Sequence, residues 1–299
     1  MPKKLIIHCG AHKTATSSLQ YFFSTNDNWL LEEGVRYLEP ASLNESRIPQ
    51  LLRGELEASP ENIVSSAEKF SSLTDETNVD TFLISHESFF SYAGNLTKGP
   101  IYPTLKRGLS TLNQLGLNLE TRFLFCVREP ADFARSVFLQ NLGIVYSGSF
   151  EQFFDEIKFK HLDWLPTLQA LSENAALGET RFFPYEVLKA RGSKAFLQLV
   201  LSMIGIHKGP PGPLPFINTS LPREAARKIQ SMGSELMQLP DEERRRVRRE
   251  VEAESRKTKA SRESELTTEM KRLVSKRLKK SNEELFRVFM PEFDPSLWD

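Results

Sequence analysis

Short apolar runs alternate with longer amphipathic stretches through the first two thirds of the chain. Leu5-Ile6-Ile7-His8-Cys9 is ended by Gly10, Ala11 to Thr14 reads as a turn, and Ala15 to Ser24 follows as a helix with Leu19, Phe22 and Phe23 on one face. Val35-Arg36-Tyr37-Leu38 is a second strand, stopped by Pro40. Residues 41–78 are polar and helix-prone. Thr81 to Ser85 is β-rich and runs into His86-Glu87. Thr121 to Val127 is the densest strand signal in the chain; Arg128-Glu129-Pro130 stops it, and a helix is expected from about Ala131 to Asn141. Thr180 to Phe183 is one more strand with a helix after it. Strands alternating with helices predict a parallel sheet joined by crossover connections, so the fold class is α/β.

The pattern changes near Gly209. Gly209-Pro210-Pro211-Gly212-Pro213 is a turn-rich linker, and Pro222 to Leu285 beyond it is helical in spacing and heavily charged. This predicts an α/β core over 1–208, with 209–299 as a linker and helical extension packing on that core. Residues 241–280 hold 15 Lys and Arg against 9 Asp and Glu. Within them, Arg244-Arg245-Arg246-Val247-Arg248-Arg249 fits either a solvated helix face, its charge offset by Glu250, Glu252 and Glu254, or a nucleic-acid contact.

The 299 residues are ordinary for a globular protein: 39% hydrophobic and 26% charged, with Phe the unusual item at 21 copies. Formal net charge is zero. No global field draws nucleic acid or an anionic membrane, and no nucleic-acid partner is expected. Cys9 and Cys126 lie inside apolar runs, as buried thiols do, which fits a reducing compartment. No stretch reaches the length of a membrane span or a signal peptide, so a cytoplasmic location is expected.

Candidate chemistry begins at the first turn. Gly10-Ala11-His12-Lys13-Thr14-Ala15-Thr16-Ser17-Ser18 lies between a strand and a helix, where backbone N–H groups and the helix N-terminus favour an anion. Lys13 adds a point charge and Thr14, Thr16, Ser17 and Ser18 add hydroxyls. Ordinary N-capping produces a similar Ser/Thr-rich helix start. The loop is not that of a nucleotide triphosphatase, which carries glycine immediately before the lysine. A second element, Arg128-Glu129-Pro130-Ala131-Asp132-Phe133-Ala134-Arg135-Ser136, follows the strongest strand. Arg128 stands at the carboxyl end of that strand, where open α/β sheets bind ligands, and Ser136 is two turns into the next helix. Together they suit one phosphate; alternatively Arg128 pairs with Glu129 or Asp132 at the surface.

The pair Lys13-Thr14-Ala15-Thr16-Ser17 and Arg128-x-Pro130-x-Asp132-x-x-x-Ser136 resembles the two signatures of the sulfotransferases that use PAPS, 3′-phosphoadenosine 5′-phosphosulfate. The run through Leu19-Gln20 is most similar to bacterial members of unassigned substrate. Weaker likenesses follow in order at Gly34-Val35-x-Tyr37-x-x-Pro40, Phe183-Pro184-Tyr185-Glu186-x-Leu188 and Asn218-Thr219-Ser220-Leu221, spanning residue 5 to about 226. The resemblance implies a P-loop-like three-layer sandwich, a central parallel sheet with helices on both faces, plus the charged C-terminal helical region. It implies PAPS as donor and PAP as product, with no metal. One departure is Ala15, which stands where the family has glycine: the loop must avoid a left-handed backbone there or accept strain.

By the same resemblance Lys13 offsets charge on the bridging oxygen, and Thr14, Ala15, Thr16, Ser17 and Ser18 hold the 5′-phosphate. Arg128 and Ser136 hold the 3′-phosphate and Tyr185 contacts the nucleotide. The general base is Glu87 or His86, with Glu87 favoured; strand alternation would turn the two to opposite sides if the strand continues through them. The acceptor is a small molecule or carbohydrate offering a hydroxyl or amine. Other readings stay open: a P-loop-type phosphotransferase using ATP and magnesium, and a non-catalytic nucleotide- or nucleic-acid-binding module.

Overall fold

The computed structural model describes residues 3–75, 79–92, 96–117, 119–174, 178–217, 221–257 and 266–298. Five strands, β1 (Lys4–His8), β2 (Val35–Leu38), β3 (Thr81–Ser85), β4 (Glu120–Val127) and β5 (Thr180–Pro184), form one sheet in the order β2-β3-β1-β4-β5. All pairings are parallel. The strands are continuous apolar runs because both faces are covered. Leu5, Ile6, Ile7, Phe82, Leu83, Ile84, Phe123, Leu124 and Phe125 are all buried.

Helices surround this sheet: α1 (Thr16–Thr25), α2 (Asp27–Glu32), α3 (Pro40–Glu45), α4 (Ile48–Arg53), α5 (Pro60–Asp75), α6 (Leu105–Gln114), α7 (Pro130–Asn141), α8 (Phe150–Glu156), α9 (Leu165–Glu173), α10 (Glu186–Met203), α11 (Arg223–Gln238), α12 (Asp241–Ser255) and α13 (Thr268–Phe289). The fold is α/β with a five-stranded parallel centre. Among the described residues no helix is long and apolar enough to cross a membrane. Cys9 and Cys126 are buried free thiols.

The strand order decides where chemistry can gather. β1 is central, with β3 on one side and β4 on the other, so the segments after these strands emerge side by side at one edge. The register places His8 opposite Ser85 and Leu124, and β4 runs three residues further. The chain after β1 keeps pairing along that extension: Cys9 N–H donates to the Leu124 carbonyl at 3.1 Å and Ala11 N–H to that of Cys126 at 2.7 Å. Gly10 is obligatory on this path. Its φ is +142°, and a Cβ there would lie 2.8 Å from the Tyr102 hydroxyl and 3.0 Å from the Phe125 ring.

The C-terminal helices touch the core at named points. The Phe289 ring meets Phe182 of β5 at 5.4 Å, and Trp298 donates its indole N–H to Glu186 at 2.9 Å. The 209–213 run carries neither helix nor strand, as its composition predicts. The Asn218-Thr219-Ser220 part of the expected polar segment lies outside the described residues.

Candidate active site

A cavity of about 530 Å³ opens at the carboxyl edge of the sheet. Its walls bring together Lys13, Ala15, Thr16, Ser17, Ser18, Glu87, Arg128, Ser136 and Tyr185 from the sequence-predicted set. Two members of that set, Thr14 and His86, are not on the wall.

The first pole is the turn before α1. Helix α1 begins at Thr16, one residue later than its apolar spacing predicts, because Ala15 is left-handed with φ 65° and ψ 20°. The loop therefore accepts the strain that Ala15 imposes in place of glycine, and Lys13 is left-handed too, at φ 66°. Each costs roughly 1–2 kcal/mol for an L residue, the kind of local strain that clusters at binding loops. Thr14 stabilises the turn from inside. It is fully buried and its hydroxyl donates to the Ala11 carbonyl at 2.6 Å, so its side chain is turned away from the cavity. Thr16 also reaches Ala11, at 3.3 Å, while lining the wall. Burial pushes the Lys13 ammonium below its ordinary range, and the Arg128 and Arg248 guanidiniums act in the same direction.

The second pole is Arg128, just past β4. It pairs with neither Glu129 nor Asp132. Glu129 caps α7, its carboxylate accepting from Ala131 N–H at 3.0 Å and Asp132 N–H at 2.7 Å, and Asp132 takes Lys189 at 2.6 Å. Arg128 instead donates from Nη1 to the Lys13 carbonyl at 2.9 Å and lies over the Tyr185 ring at 4.9 Å. Its backbone is pinned from behind by Trp164, whose indole N–H donates to the Arg128 carbonyl at 2.8 Å. The Arg128 Nε is buried with no partner among the described residues, and Ser136, also buried, lines the same cavity.

On the β3 side the strand ends at Ser85, so alternation no longer governs the next two residues. Glu87 faces the cavity. Gln20 fixes it, its amide donating to a Glu87 carboxylate oxygen at 2.8 Å and to the Ser85 carbonyl at 3.0 Å. The His86 ring lies 6.5 Å from Phe89, with Nδ1 buried and without a partner among the described residues. A further histidine, His12, lines the wall. The Tyr102 hydroxyl accepts from His12 N–H at 2.9 Å and sits 2.9 Å from its Nδ1, while Nε2 lies 3.1 Å from the Ser88 hydroxyl. The turn before α1, with α1 itself, and the segment after β3 are thus tied twice, through Gln20 and through His12.

Sequence reasoning missed the roof. Leu214, Pro215, Phe216 and Ile217, directly after the proline-rich linker, complete the wall, and Ile217 N–H donates to the Ser18 hydroxyl at 3.2 Å. The apolar run after five turn residues was the available signal. Arg248 was missed as well. It belongs to the basic run of α12, but it turns inward and donates to the Gln140 carbonyl and, at 3.0 Å, to the Leu139 carbonyl at the end of α7. The rest of the run is the solvated face with interleaved acids that the spacing suggests: Arg245, Arg246 and Arg249 are exposed, Arg244 and Arg245 bond Asp241 at 3.0 and 2.8 Å, and Arg246 approaches Glu250 at 3.9 Å. Among the described residues no cluster of His, Cys, Asp or Glu is placed to hold a metal ion.

Burial holds two histidines of this edge neutral, and that has a measurable consequence. His8, whose Nδ1 is 2.9 Å from the Ser85 hydroxyl and whose Nε2 has no partner among the described residues, is pushed down to about 4, and His12 is likewise pushed to about 4. Both titrate near 6.5 when unfolded. Depressed histidines leave full stability above pH 6.5 and lose it as the pH falls toward 4, because the unfolded chain takes up the protons first. Each ring contributes about 3 kcal/mol at most. Burial raises Glu129 and Glu186, which offsets part of the loss in acid. Urea midpoints should fall between pH 7.5 and 4.5, and His8→Asn should flatten that slope; an unchanged slope would contradict a neutral buried ring.

The sequence matches no family model and no curated protein. Among solved structures it is similar to the mouse sulfotransferase SULT7A1 in complex with PAP, at 13% identity, covering 97% of this chain and 89% of that one with a TM-score of 0.39. It is also similar to the sulfotransferase domain from the curacin biosynthetic pathway, at 11% identity, covering 93% and 98%, with a TM-score of 0.37. The chemistry of the site is accordingly read from its own residues.

Proposed function

We propose that this chain is an enzyme that transfers a sulfuryl group from PAPS to an acceptor hydroxyl or amine, releasing PAP. The observation that carries the reading is the pairing of two cationic poles in one cavity. Lys13 and the N-terminus of α1 form one; Arg128 and Ser136 form the other. A donor with two separate phosphate positions matches both. Among the described residues the Arg128 Nε is a buried N–H without a partner, which is costly, and the residue lines the cavity where an anion would offset its charge.

In this scheme the acceptor oxygen or nitrogen attacks sulfur in line with the bridging oxygen of the 5′-phosphosulfate. The new bond to sulfur forms as the sulfur–oxygen bond to the phosphate breaks, and PAP departs with the electron pair. Lys13 offsets the charge growing on that oxygen, in a partly desolvated place where a charge counts for more. Glu87 takes the acceptor proton, oriented by Gln20, and His86 is left off the path. Backbone N–H groups of the turn and the hydroxyls of Thr16, Ser17 and Ser18 hold the 5′-phosphate. Tyr185 keeps the Arg128 fork flat above its ring, and the exposed Phe216 at the mouth offers a face to the base.

The test is thermal stabilisation in chelator. PAP without magnesium should raise the unfolding temperature by several degrees, since ligand at a hundred times its Kd adds about 2.7 kcal/mol. Stabilisation by magnesium-ATP alone would favour phosphoryl transfer and overturn the reading. A product mass shifted by one sulfuryl group, from a panel of hydroxyl and amine acceptors, completes the assignment.

A further inference from the structure

Three histidines gather at the carboxyl edge of the sheet, and their rings are used differently. Among the described residues His8 leaves Nε2 without a partner and His86 leaves Nδ1 without one. His12 has partners at both nitrogens, and it also lines the cavity. The Tyr102 hydroxyl decides its tautomer. Tyr102 is buried, edge-on to Phe125 at 5.7 Å and 6.5 Å from Trp164, and its hydroxyl already accepts the His12 backbone N–H at 2.9 Å. Among the described residues the acceptor in reach of its own proton is His12 Nδ1, also at 2.9 Å. A hydrogen on Nδ1 would leave that buried hydroxyl proton with nowhere to go. Nδ1 therefore accepts, and Nε2 carries the hydrogen and donates it to the Ser88 hydroxyl at 3.1 Å. Gly10 is what admits the hydroxyl, since a Cβ there would lie 2.8 Å from it. Burial keeps the ring neutral down to about pH 4, so both roles persist at neutral pH.

We propose that His12 is a positioning residue of the transfer reaction, one ring that fixes the separation between Lys13 and Glu87; this rests on the sulfuryl-transfer reading above. The juxtaposition is direct on both sides. His12 immediately precedes Lys13, and Ser88 immediately follows Glu87. The bridge therefore joins the neighbour of the cation at the leaving oxygen to the neighbour of the base at the acceptor. In-line displacement places attacking and leaving atoms on opposite sides of sulfur, so the groups that serve them must keep a set distance. Ser88 is itself anchored. Its carbonyl accepts from Arg53 Nη1 at 3.0 Å, and Arg53 is clamped by both Glu55 carboxylate oxygens at 2.9 Å. The other tie, from Gln20, orients the Glu87 carboxylate but starts a full turn into α1 and leaves Lys13 unregistered. With Nδ1 accepting and Nε2 donating, the ring has no free lone pair for the acceptor proton. His12 thus supports Glu87 and does not replace it.

Two measurements on the full chain test this. The first is the nitrogen NMR spectrum of protein labelled at histidine, with the His12 signals assigned by their loss in His12→Gln. Wild type should show a pyrrole-type Nε2 and a pyridine-type Nδ1, and Tyr102→Phe should lose that preference. The second is PAP release from PAPS with the pooled hydroxyl and amine panel. His12→Asn, whose amide falls at the Nδ1 position and stops short of Ser88, should slow release about tenfold to a hundredfold. His12→Gln, whose amide can take the place of Nε2–H, should recover most of that loss. The PAP-induced thermal shift should equal the wild-type shift in both, which a general loosening of the loop would not allow. Ser88→Ala cuts the same bridge from its more exposed end and covers the case of a His12 variant that fails to fold. It should slow release like His12→Asn and add little to it in the double variant. An Nδ1–H tautomer in the wild type, a Gln variant as slow as the Asn variant, or Ser88→Ala within twofold of wild type would each overturn the proposal. The expected tautomer in a wild type that shows neither PAP shift nor PAP release would instead overturn the sulfuryl-transfer reading and leave His12 a structural bridge.

Discussion

Lys13→Ala is expected to lower kcat by about a hundred- to a thousandfold, with a much smaller change in PAP affinity. The split follows from what the ammonium does in the proposed reaction. It faces an oxygen whose negative charge grows as the sulfur–oxygen bond breaks, so its contribution is greater in the transition state than in either bound nucleotide. Its carbonyl, which accepts from Arg128 at 2.9 Å, is a backbone group and survives the substitution. The fold should survive as well. Burial disfavours the charged form of Lys13, so removing it relieves a desolvation cost, and the left-handed conformation at φ 66° is no worse for alanine than for lysine. Circular dichroism and the unfolding temperature check the fold; steady-state turnover with saturating donor checks the chemistry. A variant turning over within tenfold of wild type would remove Lys13 from the transition state.

Which parts of this site were legible in the sequence follows from how local each one is. The strands were legible because both faces of the sheet are covered, which writes the heart of a strand as an unbroken apolar run such as Phe123–Val127. The order β2-β3-β1-β4-β5 was not, since no run names its neighbour. Lys13, Ser17, Ser18, Arg128 and Ser136 lie in two short segments tied directly to strand ends, and the sequence brought all of them to the wall observed here. Thr14 has the same chemistry as Thr16 but points inward, because the loop's left-handed residues rotate the hydroxyls differently, and composition carries no trace of that. The preference for Glu87 over His86 came from the resemblance alone; which of the two reaches the wall depends on β3 stopping at Ser85, and it is Glu87. Gln20, Ile217 and Arg248 are defined by contacts with residues far away in the chain, Gln20 with Glu87, Ile217 with Ser18 and Arg248 with Leu139. Such residues look like an ordinary helix side chain, a linker and part of a charge run.

Arg128→Ala is expected to weaken PAP binding by about a hundredfold or more, the usual loss when one partner of a buried charge pair is removed. Adenosine 5′-phosphosulfate, which lacks the 3′-phosphate, should lose far less, and that difference is the informative quantity. Arg128 has two possible routes of action. It can grip the 3′-phosphate from the cavity wall it shares with Ser136, or it can act through the loop, because Nη1 holds the Lys13 carbonyl. Loss of the grip discriminates between the two nucleotides; loss of the loop contact penalises both alike. Ser136→Ala separates the routes further. Its effect on PAP should be smaller and should largely vanish in the Arg128→Ala background, as expected for two groups on one phosphate. Arg128→Lys should not restore affinity, because an ammonium cannot supply both the Lys13 carbonyl contact and a second donor in the plane above Tyr185. Equal losses for both nucleotides, with an additive Ser136 effect, would place Arg128 in the support of the loop and leave the second phosphate without its cation.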